Sequence, residues 1–489
     1  MTPEIDGAAA ATPAKRRLPT GTMASYGFGA AAYGVKDSGF GTFLLLFYNQ
    51  VVGVPASTVG LVIMIALIVD AFVDPTVGFL SDRTRSRWGR RHPWMYAAAL
   101  PIMLGWLALW NPPALSEPMT LLYLFAIAVL VRSAVSAYEV PSQALTPELS
   151  GDYDERTRIM AYRYLFGWAG GLAMLVAAYL YFLAPTPGFP NGLLNRAGYS
   201  GFALAGAAFM GVAILVSALG THREIKYLPK VPTQRQSLGN SFRELGETLR
   251  NRAFAVLMLA GVCAYTAQGV SYAISNYLYS YVWQFRGYAF LYMALALFAG
   301  VGLAFVIAQA IGRRTSKPHA AMLAILLAGL VATTPYILRL LGLFPEVGSP
   351  WMLPAVYLFA ALSTTCSVTS YILGSSMMAD VAEDSQSRTG RRSEGTFYAG
   401  GFFVQKCTSG LGIFVTGIML DLAGFPEKAV PGQVPLATID RLTLIYICVY
   451  IGCTALAAFC YTRFPFGRRE HEARLAHLAG VQPVADPQT

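Results

Sequence analysis

Long apolar stretches without a single Asp, Glu, Lys or Arg dominate this chain: 38–69, 94–116, 164–195, 253–285, 287–312, 347–379 and 442–462. Each reaches the roughly 20 residues that a helix needs to cross the hydrocarbon core of a bilayer. None alternates with the period of two that marks a barrel strand, so they read as helices, which satisfy their own backbone polar groups in lipid. Together with stretches that carry an isolated charge, they predict twelve spans, at about 25–50, 56–80, 93–112, 118–143, 159–184, 199–220, 253–282, 287–312, 318–341, 350–379, 395–421 and 439–463.

The polar segments divide these spans six and six. The expected layout is an N-terminal arm, 1–24; a first six-helix bundle, 25–220; a middle loop, 221–252; a second six-helix bundle, 253–463; and a tail, 464–489. Within the middle loop, Ser237 to Arg252 has the spacing of a surface helix, with Leu238, Phe242, Leu245 and Leu249 on one side. Gly89-Arg90-Arg91 after span 2 is echoed by Gly312-Arg313-Arg314 after span 8, the pattern of a duplicated transporter half. The arm has no apolar core before span 1, so no cleaved signal peptide is expected.

Composition agrees. Of 489 residues, 55% are hydrophobic and 13% charged, half the charge of a soluble protein, which excludes both a soluble multidomain chain and a disordered one. The net charge of +10 does not point to nucleic acid. Only Arg196, Arg286, Arg339, Lys428 and Arg441 fall on one side of the membrane, and Lys36, Arg132, Arg163 and Lys406 lie within spans. The rest of the 36 basic residues fall on the other side, which places both termini in the cytoplasm by the positive-inside rule. The six cysteines sit in apolar spans without metal-ligand spacing, and the five histidines lie in polar segments. Neither a histidine metal site nor a histidine proton relay is expected.

Chemistry must come from ionisable groups inside the spans, each of which costs about 3 kcal/mol to place at a helix centre. Asp70 and Asp74 in span 2 are four residues apart and share a helix face. Their mutual repulsion requires that one hold a proton or that the pair share a cation, the chemistry of a proton or sodium site. Asp37 in span 1, Glu139 in span 4 and Arg163 in span 5 suit a polyhydroxylated ligand, because carboxylates accept hydroxyl hydrogen bonds and a guanidinium donates in a fork. Arg132 is expected to pair with an acid. Lys406, in span 11, has no acidic neighbour within a turn, so its partners are expected among the first-half carboxylates. The loops after spans 2 and 10 mix acids with bases, including Asp82, Arg90, Arg392 and Glu394, as ion pairs that close a gate would require.

These residues, in this order, resemble the glycoside–pentoside–hexuronide:cation symporters of the melibiose permease type, within the major facilitator superfamily. The likeness runs from about Ser25 to Arg463 and rests on Tyr26-Gly27-Phe28-Gly29, Lys36-Asp37, Asp70-Ala71-Phe72-Val73-Asp74-Pro75, the run from Arg83 to Trp94, Glu139-Val140-Pro141 and the lone Lys406. The resemblance implies sugar contacts at Lys36, Asp37, Glu139, Gln143, Arg163 and Tyr371, the last at the place of a sugar-stacking Trp. It implies cation coupling at Asp70, Asp74, Ser136 and Lys406, and an ion pair across the cytoplasmic side between Arg156 and Glu394. Val73 stands where a sodium-using member has Asn, which favours H⁺ over Na⁺, with Na⁺ at Asp70 and Asp74 as the alternative ion.

The expected protein is thus a monomeric, all-α, twelve-helix secondary transporter of the inner membrane, of major facilitator fold. It would carry a sugar or glycoside with a cation, without cofactor or structural metal. A cation-coupled carrier of a lysolipid is the alternative within transport. A membrane enzyme would need a nucleophile–base pair or metal ligands, and no span contains His.

Overall fold

The computed structural model describes residues 18–150, 152–228, 251–314, 316–389 and 394–465. The surface helix expected from Ser237 lies almost entirely outside these residues, as do most of the arm and the tail. Twelve helical spans follow in order: α1 (20–52), α2 (Ala56–Arg83), α3 (His92–Trp110), α4 (Glu117–Leu149), α5 (Tyr153–Ala177), α6 (Arg196–His222), α7 (Arg252–Tyr277), α8 (Ala289–Arg314), α9 (Lys317–Leu340), α10 (Met352–Thr389), α11 (Glu394–Ala423) and α12 (Leu436–Thr462). Eleven of the described helices are long and apolar enough to cross a membrane by themselves. The twelfth span, α1, alternates α-helical stretches with π-helical ones at Gly39–Phe43 and Phe47–Val52. It starts at Thr20 rather than near residue 25, and ends at Gly53 with φ 91°, a left-handed conformation that glycine adopts without steric penalty. The helices outrun the apolar stretches chiefly at the ends nearer the termini, as α4 and α10 do by reaching Leu149 and Thr389.

The two halves repeat one packing scheme. In the first, α1 packs on α5 and α6, α2 on α4, and α3 on α4 and α6. In the second, α7 packs on α11 and α12, α8 on α10, and α9 on α10 and α12, the same scheme shifted by six helices. The halves meet along α2 and α11 extensively, along α1 and α7, and only sparsely along α5 and α8. Small residues set the close approaches. A Cβ on Gly410 of α11 would sit 3.1 Å from Leu67 Cβ of α2, and one on Gly27 of α1 would sit 2.8 Å from Tyr162 Cβ of α5. These approaches bring Lys406 to the α2 carboxylates and Arg163 to α1.

The two ends of the interface between the halves differ. At the end away from the termini, α5 and α7 finish in π-helical turns, Ala178–Phe182 and Leu278–Val282. There a hydrogen-bonded clamp joins the halves. Gln50 is its hub: Nε2 donates to Asn49 Oδ1 at 2.6 Å and to Pro426 O at 3.1 Å, while Oε1 accepts from Tyr281 Oη at 3.1 Å and from Ala429 N at 2.8 Å. Tyr277 donates to Asn49 Oδ1, Tyr179 to Asn276 Oδ1, and Asn276 to Thr42 O, at 2.9, 3.1 and 2.9 Å. At the end nearer the termini, the ion pairs among the described residues stay within a half. Arg90 and Arg91 pair with Asp82 and Glu148, and Lys317 with Asp380.

Candidate functional site

The intramembrane charges gather in two clusters. In the first, Asp70 is 3% exposed and accepts two hydrogen bonds, from Arg132 Nη2 to Oδ2 at 2.7 Å and from Ser136 Oγ to Oδ1 at 3.0 Å, and its Oδ2 is ion-paired with Lys406 Nζ at 2.9 Å. Lys406 also donates to Asp74 Oδ2 at 2.5 Å, and Asp74 is 30% exposed. The shared cation that repulsion between Asp70 and Asp74 demands is therefore Lys406, delivered by the other half. The Arg132 guanidinium packs 5.3 Å from the Phe40 ring, and Pro75 lies within α2 directly after Asp74. Two acids and two bases leave this cluster neutral, which is how buried charge is tolerated. Two of its buried polar atoms have no partner: Asp74 Oδ1 and Arg132 Nε.

In the second cluster, Arg163 Nη2 donates to Glu139 Oε1 and Nη1 to Ser142 Oγ, both at 2.6 Å. Its guanidinium lies 5.1 Å from the Tyr26 ring, and Tyr26 Oη bonds to Ser142 O and Thr146 Oγ1. Gln143 Nε2 donates to the same Glu139 oxygen at 2.9 Å, and Glu139 Oε2 is buried without a partner. On α1, Lys36 is buried, with Nζ 4.0 Å from the Tyr33 ring and 3.6 Å from Asp37 Oδ1. Asp37 itself is 59% exposed. Asp37 is thus open beside Lys36, while Glu139 and Arg163 hold each other, a set of acceptors and donors able to bond hydroxyl groups.

The structure therefore brings together Lys36 with Asp37, Glu139 with Gln143 and Arg163, and Asp70 with Asp74, Ser136 and Lys406. Arg132 and Glu139 share a face of α4, yet each finds its partner on a different helix. Tyr371 is not gathered with the first-half charges: it stacks on Tyr265 at 5.6 Å and donates to Ala264 O at 3.0 Å, inside the second half. Arg156 bonds to Ser150 O and Pro147 O of its own half, at 2.6 and 3.3 Å. Arg392 and the side chain of Glu394 lie outside the described residues. His92, expected in a polar segment, instead opens α3, wholly buried, and bonds to Thr221 Oγ1 at 3.0 Å. Ser142, which holds Arg163, and the clamp around Gln50 carried no sequence signal beyond being polar within apolar spans, and Tyr26 appeared only as part of the span 1 motif.

Two six-helix halves with paired charges buried between them define a secondary transporter of the major facilitator fold. The chain belongs to the family described as MFS/sugar transport protein, which matches residues 25–468. It is 28% identical to an uncharacterized symporter of Synechocystis, sll1374, over 92% of this chain and 95% of that one. It is 24% identical to the inner membrane symporter YicJ of Escherichia coli, over 90% of each. Its fold superposes on the nucleoside transporter NupG with a TM-score of 0.62 at 14% identity, covering 91% of this chain and 99% of that one. The protein is a multi-pass membrane transporter of an inner-membrane transporter family, not an enzyme.

Proposed function

We propose that the protein is a proton-coupled symporter that imports a sugar or glycoside by alternating access, with both termini in the cytoplasm. One observation carries this reading: Lys406 of the second half bridges Asp70 and Asp74 of the first, and one oxygen of Asp74 is left buried without a partner. A proton arriving at Asp74 neutralises it and loosens the only described ion pair network that ties the halves at mid-depth. The equilibrium between conformations then depends on protonation, as coupling requires.

The ion follows from oxygen supply. A sodium ion needs several oxygen donors to replace its water shell. Both Asp70 oxygens, Asp74 Oδ2 and the Ser136 hydroxyl are already engaged, which supports H⁺ over Na⁺. The substrate class follows from Asp37, Glu139 and Arg163, which together offer acceptors and a forked donor to a polyol, and from the sugar-transport description of the family. A lysolipid would need one basic headgroup contact and has little use for two carboxylates.

The clamp around Gln50 holds the halves together at the end away from the termini. The test is uptake of a labelled glycoside panel into inverted and right-side-out vesicles, with pH and Na⁺ gradients imposed separately. Accumulation driven by pH alone is expected. Accumulation driven by Na⁺ alone would reassign the ion, and displacement by lysolipids without displacement by any sugar would reassign the substrate.

A further inference from the structure

Helix α7 is mostly buried, but from Tyr265 outward its accessible residues form one stripe: Tyr265, Gln268, Ser271, Tyr272, Ser275 and Tyr279. The spacing is that of a single helix face. Tyr272 is the most open of them, 46% exposed. It faces the other half: a Cβ on Gly41 of α1 would lie 3.4 Å from its ring, and Gly41 stands one turn after Asp37. Gln268 Nε2 reaches its hydroxyl at 3.4 Å. The exposed acid of α1 and the exposed ring of α7 therefore border the same space from opposite halves.

A cavity of about 60 Å³ lies about one turn further along α1 and α7, between them and α5 and α8, which pack sparsely. Thr42, next after Gly41, and Ser275, one turn after Tyr272, line it on the side of α1 and α7. Its remaining walls are Leu175, Tyr179, Tyr279, Phe290, Met293, Ala294, Leu297 and Phe298, and its lining is apolar apart from hydroxyls. Tyr179 stacked on Phe290 at 5.3 Å and the bond from Tyr179 to Asn276 bound it on the outer side. Thr42 stands little more than one helical turn beyond Asp37, within the reach of one sugar ring and its glycosidic oxygen.

We infer that this cavity is a subsite for an apolar substituent: the transported molecule is a glycoside whose sugar ring lies on Tyr272 with its hydroxyls toward Asp37, and whose apolar aglycone enters between α5 and α8. A pyranose presents a hydroxylated rim and a C–H face, so an acid and an aromatic ring on opposite sides recognise it together. Apolar contact in the cavity adds affinity that a free sugar or methyl glycoside cannot collect. This inference rests on the sugar reading above.

The test measures dissociation constants of the purified full-length protein for free sugars and for their methyl and phenyl glycosides. For whichever sugar binds, the phenyl glycoside is expected to bind about tenfold more tightly than the methyl one. Ala294→Phe, which fills the cavity, removes that advantage and leaves methyl glycoside binding unchanged. Leu175→Trp makes the same cut from the opposite wall should Ala294→Phe fail to fold. Tyr272→Leu weakens both glycosides about tenfold, Tyr272→Phe weakens neither, and an open-chain polyol is indifferent to the change. Equal phenyl and methyl affinities in the unmodified protein, or a phenyl advantage that survives both filled variants, would overturn the subsite while leaving sugar transport standing. Binding of no sugar or glycoside at all would overturn the sugar reading, and the subsite with it.

Discussion

The two halves share one packing scheme and differ in what they place at its centre. The first half supplies Lys36, Asp37, Asp70, Asp74, Arg132, Glu139 and Arg163, whereas among the described residues the second supplies one deep charge, Lys406, and a stripe of tyrosines on α7. Duplication explains the shared scaffold, and divergence of side chains explains the division of labour. Under the proposed function, the charged half would hold hydroxyls and the proton, and the other half would supply a single ammonium whose bond to Asp74 reports whether the proton is there. A switch needs this inequality. Had both halves carried balanced charge of their own, nothing would couple protonation of one to its position against the other.

The largest effect is expected from removing the crossing charge. Lys406→Ala leaves Asp70 and Asp74 facing each other, and Asp70→Asn leaves Arg132 with a buried charge half satisfied. Breaking a buried pair costs about 3–5 kcal/mol, so initial uptake should fall a hundredfold or more in either variant. The double variant Asp74→Asn with Lys406→Gln removes acid and base together. It should fold and exchange substrate better than Lys406→Ala, and a double-mutant cycle on thermal stability measures the coupling.

Next is the forked contact within the charged half. Arg163→Ala frees Glu139 and Ser142, and Arg163→Lys keeps the charge but not the fork. Substrate affinity should fall at least about tenfold in both, which binding titrations would register. An Arg163→Lys protein with normal affinity would mean that charge alone matters there.

The outer clamp is expected to be milder. Gln50→Ala gives up four bonds, each worth about 1 kcal/mol net, and the bonds through Asn49 and Asn276 remain. The equilibrium should shift outward, and a Ser275→Cys reporter should react about tenfold faster with an impermeant thiol reagent from the outside. The smallest effect belongs to Gln143→Ala. Its exposed amide only supplements the bond that Arg163 makes to Glu139, so transport should change by less than about threefold.

Much of this was legible in the chain. Charge-free runs located the spans, the polar insertion near residue 221 falls between two sets of six, and isolated charges within apolar runs named the residues that the structure gathers into the candidate site, because hydrocarbon penalises charge and backbone polarity so strongly. Partner choice was not legible. Helical spacing places Arg132 and Glu139 on one face, but only packing between helices sends one to Asp70 and the other to Arg163. Tyr371 was expected at the sugar because of where it falls in the chain, and its stacking on Tyr265 within the second half appears only once the helices are packed. Gln50, Asn276 and Tyr272 are uncharged, and an amide or phenol in an apolar run reads as ordinary helix packing until the opposite half is in place. The π-helical turns of α1, α5 and α7 leave no periodic signature in segments that are apolar on every side.

Sugar-evoked proton movement tests the central claim most directly. The purified protein is reconstituted in liposomes containing a pH-sensitive dye, without ion gradients, and a glycoside that binds is added outside. In the unmodified protein the interior should acidify as substrate enters. In Asp74→Asn the same glycoside should bind and exchange, with no change in interior pH. Acidification that persists in Asp74→Asn would contradict coupling through Asp74 and Lys406.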